Sequence, residues 1–188
     1  SCGTDFFEVK EMQKIKAFGT WLRTSKNGFF TLAVFGYWLK CYLIYLTKFT
    51  LGATGPMQGF LLLINPIPSG MLILGLGMLM KGRKSYWLMI IIDLILATWL
   101  FANILYYREF SNFLSFSLLQ NSGSASENLG KSIAGILKGS DFLAFADPLI
   151  LLGLLLGKFF KMDLYAQSWK RKVAIELTAL ILMGGNLL

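Results

Sequence analysis

SYWLMIIIDLILATWLFANILYY, residues Ser85–Tyr107, runs for 23 residues with a single charge, Asp93. As an α-helix it rises about 34 Å at 1.5 Å per residue, enough to cross a hydrocarbon core of about 30 Å. Its apolar residues form a run and not a stripe, so no face is left for water and the matching solvent is lipid.

Similar runs lie on both sides. Upstream, Phe29 to Thr47 is broken only by Lys40. A less regular run from about Met57 to Met80 is interrupted by Asn65-Pro66-Ile67-Pro68-Ser69-Gly70, where two prolines remove backbone donors. The expectation there is a short interfacial or re-entrant piece at 57–64, then a span at about 67–80. Downstream, 142–160 and 173–188 complete the set. The reading is an all-α integral membrane protein of about five transmembrane helices with short interfacial helices. Composition agrees: 55% of residues are hydrophobic and 15% charged, against roughly 45–50% and 25% in soluble chains.

Charge sets the expected orientation. Lys10, Lys14, Lys16, Arg23, Lys26, Lys81, Arg83, Lys84, Lys158, Lys161, Lys170, Arg171 and Lys172 fall on one side, 13 of the 18 basic residues, and only Lys48, Arg108, Lys131 and Lys138 on the other. The positive-inside rule makes the first side cytoplasmic, with the N-terminus inside and the C-terminal end extracellular. The net charge of +8 is thereby explained by topology, and nucleic acid is not an expected partner. Residues 1–28 form a basic segment with Phe7, Met12, Ile15, Phe18 and Leu22 near helical spacing, suited to a helix on the inner surface; the alternative is a disordered arm. The outer segment 108–140 is expected to hold two surface helices. The chain begins at Ser1 and stops within an apolar run, so a longer parent protein, cut before an extracellular domain, is expected.

Histidine is absent, which removes the commonest general base and nitrogen ligand. Cys2 and Cys41 have no metal-ligand spacing. No catalytic residue, metal site or cofactor is therefore expected within these residues. Ionisable groups inside spans are costly and are functional candidates by default. Lys40 has two readings, a snorkelling stem or an ammonium on a lipid phosphate. Asp93 reads as a partner within the bundle or as a proton relay. Asp141 and Asp147 read as helix entry and capping or as metal ligands. Asn65 and Asn103 are further polar candidates within spans. Arg108, after Tyr106 and Tyr107, is an interfacial belt residue or a grip on a lipid headgroup phosphate.

In order, Leu39-Lys40-Cys41-Tyr42, Leu63-Ile64-Asn65-Pro66, Lys81-Gly82-Arg83-Lys84-Ser85-Tyr86-Trp87 and Ala102 to Leu114 (ANILYYREFSNFL), followed by Asp141-Phe142 and Asp147, resemble the membrane domain of lipoteichoic acid synthase, the glycerophosphate polymerase of Gram-positive cell walls. The resemblance covers roughly residues 29–188. Glu109 stands at an aromatic position of the pattern and Asn112 at an aspartate position. The resemblance implies five spans followed by an extracellular, sulfatase-like phosphoglycerol transferase domain that holds a manganese ion. That domain would draw glycerophosphate from phosphatidylglycerol onto a glycolipid anchor. Membrane lipids and that domain would then be the partners. The rival expectation is a small transporter or channel subunit.

Overall fold

The computed structural model describes residues 2–25, 27–49, 56–80, 82–110, 137–160 and 168–185, and every regular element within them is helical. In order these are α1 (Cys2–Thr24), α2 (Gly28–Lys48), α3 (Pro56–Ile64) and α4 (Pro66–Gly75), which ends in a 3₁₀ turn at Leu76–Leu79. Then come α5 (Arg83–Phe110), a 3₁₀ segment Gly139–Phe145 that enters α6 (Ala146–Leu156), and α7 (Trp169–Gly185). Among the described residues, four stretches are long and apolar enough to cross a membrane by length and composition: Gly28–Lys48, Gly59–Leu79, Arg83–Arg108 and Gly139–Leu156. The helix α7 adds a fifth apolar helix of 17 residues. The chain is an all-α, multi-pass membrane domain. The two surface helices expected within 108–140 fall largely outside the described residues.

The proline-rich step divides α3 from α4 at Asn65. Asn65 keeps right-handed helical dihedrals, φ −53° and ψ −37°, and its N–H donates to the Leu61 carbonyl at 2.9 Å. By length and composition Gly59 to Leu79 forms one stretch able to cross a membrane. Donors from elsewhere reinforce the backbone around the prolines. The Ser69 hydroxyl donates to Asn65 O at 3.0 Å and Pro66 O at 3.2 Å, and the Trp38 indole N–H donates to Leu63 O at 2.7 Å.

Helix α2 packs against α1, α4, α5 and α6, and α4 packs against α7. The turn from α1 into α2 needs glycine at position 28, because a Cβ there would run into the Leu22 carbonyl. Two apolar layers fill the bundle. One gathers Phe29, Leu74, Met78, Tyr86, Met89 and Leu151, with the Phe29 ring edge-on to Tyr86 at 4.7 Å. The other gathers Cys41, Ile44, Phe49, Leu100, Ile104 and Ala144, with Phe49 edge-on to Tyr107 at 5.0 Å. At the first end the Lys172 ammonium, on α7, donates to the carbonyls of Met78 and Met80 and so closes the end of the α4 stretch. Phe35, Leu43 and Leu46 on α2 and Ile91, Ile95 and Trp99 on α5 remain exposed, an apolar rim of the kind that faces lipid in a spanning bundle.

Candidate functional site

Between the two apolar layers, three charges converge. Lys40 extends from α2, Asp93 from α5 and Asp147 from the first turn of α6, and all three are buried, Asp93 completely. The Lys40 ammonium donates to Asp93 Oδ1 at 3.0 Å and lies 2.8 Å from Asp147 Oδ2. The second contact is an ion pair off the hydrogen-bonding direction, and Asp93 Oδ2 and Asp147 Oδ1 have no hydrogen-bond partner. The Tyr37 ring covers the ammonium, with its centroid 5.4 Å from Nζ, close enough for a cation–π contribution.

Local sequence explains the meeting. Gly36 lies one turn before Lys40 on the same face of α2. A Cβ at 36 would stand 3.1 Å from the Asp147 Cβ, so glycine lets α6 approach closely enough for its carboxylate to reach Lys40. Sequence reasoning expects Lys40 to snorkel or to hold a lipid phosphate; the fold turns it inward instead. Its ammonium is taken by a carboxylate 53 residues away in the chain and by another on α6. Asp93 is thus a bundle partner, and Asp147 joins it.

A second cluster occupies the end of the bundle where α2 and α5 finish. Arg108 grips Asp141 with both terminal nitrogens, Nη1 to Oδ2 and Nη2 to Oδ1, each at 2.8 Å. Lys48 donates to Asp141 Oδ1 at 3.1 Å and to the Ser140 hydroxyl at 2.5 Å. The backbone N–H of Lys138 donates to Asp141 Oδ2 at 2.9 Å, so the carboxylate also closes the start of the 3₁₀ segment. Asp141 is fully buried while Arg108 keeps 22% of its side chain exposed. Among the described residues, the cations of Lys48 and Arg108 share one carboxylate, a local excess of positive charge beside Phe49 and Tyr107.

Asn103 and Asn65 join neither cluster. Asn103 is buried and donates through Nδ2 to Trp99 O on its own helix at 2.9 Å. Asn65 is exposed at the α3–α4 step. Lys48 and Lys172 are the residues that sequence reasoning passes over, because a lysine at the end of a span reads as an ordinary topology charge. The signal for Lys48 was its place at the same end as Arg108 and Asp141. Among the described residues no three His, Cys, Asp or Glu side chains gather as metal ligands do.

The lipoteichoic acid synthase N-terminal domain family model matches residues 12–188. The chain belongs to this family. Lipoteichoic acid synthase 1 of Bacillus subtilis strain 168 is 40% identical over 160 residues, which cover 85% of this chain and 24% of that protein. Lipoteichoic acid synthase of Staphylococcus aureus strain USA300 is 37% identical over 148 residues, 79% of this chain and 23% of that protein. The chain therefore spans about a quarter of the length of the curated relatives it matches. No solved structure matches it significantly.

Proposed function

We propose that this chain is the membrane domain of an enzyme that polymerises glycerophosphate on the outer face of the cell membrane, and that it both anchors the catalytic domain and presents phosphatidylglycerol to it. The N-terminus is cytoplasmic and the Arg108 end faces outward, with α1 lying on the inner surface through its exposed Met12, Ile15, Phe18 and Trp21. Family membership supports the polymerase reading. The observation that carries lipid presentation is the pair of cations, Lys48 and Arg108, on the single carboxylate of Asp141. A cationic excess at the outer interface attracts lipid phosphate, and the guanidinium fork suits it in geometry. The glycolipid anchor and the extracellular domain are the remaining partners, and manganese belongs to that domain. The in-span charges favour this reading over a transporter, because Lys40, Asp93 and Asp147 close on one another.

Synthesis of polymer from phosphatidylglycerol by the full-length protein, normalised to its abundance in the membrane, tests the reading. Arg108→Ala is expected to lower it about tenfold or more, the worth of one charge-assisted contact. Arg108→Lys, which keeps charge without the fork, should lose less. Asp141→Asn removes the ion pair but keeps the cations, so it should retain synthesis per molecule. Equal losses in Arg108→Ala and Asp141→Asn would reduce Arg108 to a tether for the end of α5.

Orientation has its own test. A cysteine placed at Ser124 is expected to react with an impermeant maleimide on intact cells, whereas one placed at the exposed Lys84 is expected to react only after permeabilisation. The opposite pattern would invert the proposed topology.

A further inference from the structure

Beside the central ion cluster, α2 and the α3–α4 step enclose a cavity of about 300 Å³ lined by Tyr37, Tyr45, Leu62, Asn65, Pro66 and Ser69. Its polar groups come from two different helices and are all uncharged. The exposed Asn65 carboxamide and the Tyr45 hydroxyl have no hydrogen-bond partner among the described residues. Within a span such groups are costly unless something supplies hydrogen bonds. The volume is at the small end of ligand sites, which run from roughly 300 to 1,000 Å³.

The geometry points to a binding site for the neutral, hydroxyl-bearing head of a membrane lipid, held by Asn65, Tyr45 and Ser69. Two observations choose this class. The cluster next door offers an anion no free partner: Lys40, covered by Tyr37, is already shared between two carboxylates, so a phosphate entering beside Tyr37 would have to compete with both for the one ammonium. Further toward the opposite end of the bundle, α2 and α4 also line an apolar groove of about 360 Å³, bounded by Phe30, Val34, Phe35, Trp38, Ile67 and Met71. A polar cavity and an apolar groove along one helix pair suit an amphiphile better than a soluble polyol. The site is distinct from the Arg108 cluster, which suits phosphate. Under the proposed function, a reading on which only this sentence depends, it would hold the uncharged acceptor or the diacylglycerol left when glycerophosphate is removed.

The full chain, reconstituted in phosphatidylcholine nanodiscs doped with equal small fractions of glucosyl-diacylglycerol, diacylglycerol and phosphatidic acid, would be examined for retained lipid by native mass spectrometry. Glucosyl-diacylglycerol or diacylglycerol is expected to be enriched. Whichever is preferred identifies the hydroxyl source as the sugar or the glycerol. Asn65→Leu and Tyr45→Phe should each lower that enrichment about five- to tenfold, the effect of one hydrogen bond. Tyr45→Phe removes a single oxygen, so it guards against a misfolded Asn65→Leu. Enrichment that is unaltered in Tyr45→Phe, or preference for phosphatidic acid that disappears in Asn65→Leu, would overturn the assignment. The measurement needs no polymer synthesis, so its failure is separate from failure of the polymerase reading.

Discussion

Lys40→Met should leave little folded protein in the membrane. Methionine keeps much of the length of the stem but removes the only cation among three buried charges, so Asp93 and Asp147 would face each other in the bundle with no ammonium between them. Breaking a buried pair by removing one partner costs about 3–5 kcal/mol, a large part of the roughly 5–15 kcal/mol that holds a typical domain folded. Midpoints of thermal unfolding for the purified full chain are expected to fall on the order of 10 °C, with a matching loss of membrane abundance. Two further variants separate charge from packing. Asp93→Asn leaves Lys40 and Asp147 as a one-to-one pair and should cost far less. Lys40→Met combined with Asp93→Asn and Asp147→Asn removes every charge and should recover most of the stability, since a neutral replacement of a whole buried cluster is often tolerated. Wild-type stability of Lys40→Met alone would mean that these charges do not hold α2, α5 and α6 together.

At the other end, Asp141→Leu is expected to be nearly as damaging for a different reason. One buried carboxylate accepts from Arg108 twice, from Lys48 and from the Lys138 backbone, so it joins the ends of α2 and α5 to the entrance of α6. Hydrogen bonds to a charged group contribute about 1.5–3 kcal/mol each. The net loss is smaller than their sum, because Arg108 and Lys48 sit near the bundle end and regain water or headgroup contacts. A loss of about 3–4 kcal/mol is the expected scale. Asp141→Asn, which still accepts but carries no charge, should fall between wild type and Asp141→Leu. Thermal unfolding of the full chain in detergent, followed by size-exclusion chromatography, would order the three. An Asp141→Leu midpoint within a degree or two of wild type would contradict the view that this carboxylate fastens the ends of α2 and α5.

The two clusters differ in how far they could be read from residues alone. Arg108, Asp141 and Lys48 all lie at span ends that the charge pattern puts on one side, so their common end follows from topology once the spans are drawn. The Lys40 cluster does not. Nothing local to Lys40 distinguishes a snorkelling stem from a buried ammonium, and the position that decides it, Gly36, is informative only when α6 is seen against it. The proline step is similar. Asn65-Pro66-Ile67-Pro68 marks a break in the apolar run, and only the fold shows the Trp38 indole and Ser69 hydroxyl donating to carbonyls around it.

Run length and composition alone therefore determine that this is an all-α membrane domain, where its apolar stretches lie, and which residues are charged within them. These are local properties, set by the cost of placing backbone and side chains in hydrocarbon. Tertiary structure alone decides which charges meet: that Lys40 turns toward Asp93 and Asp147, that Arg108 and Lys48 share Asp141, and that Asn65 faces a cavity with Tyr45. Those outcomes depend on the rotation of each helix about its axis and on how closely its neighbours approach. Both are fixed by packing between residues far apart in the chain.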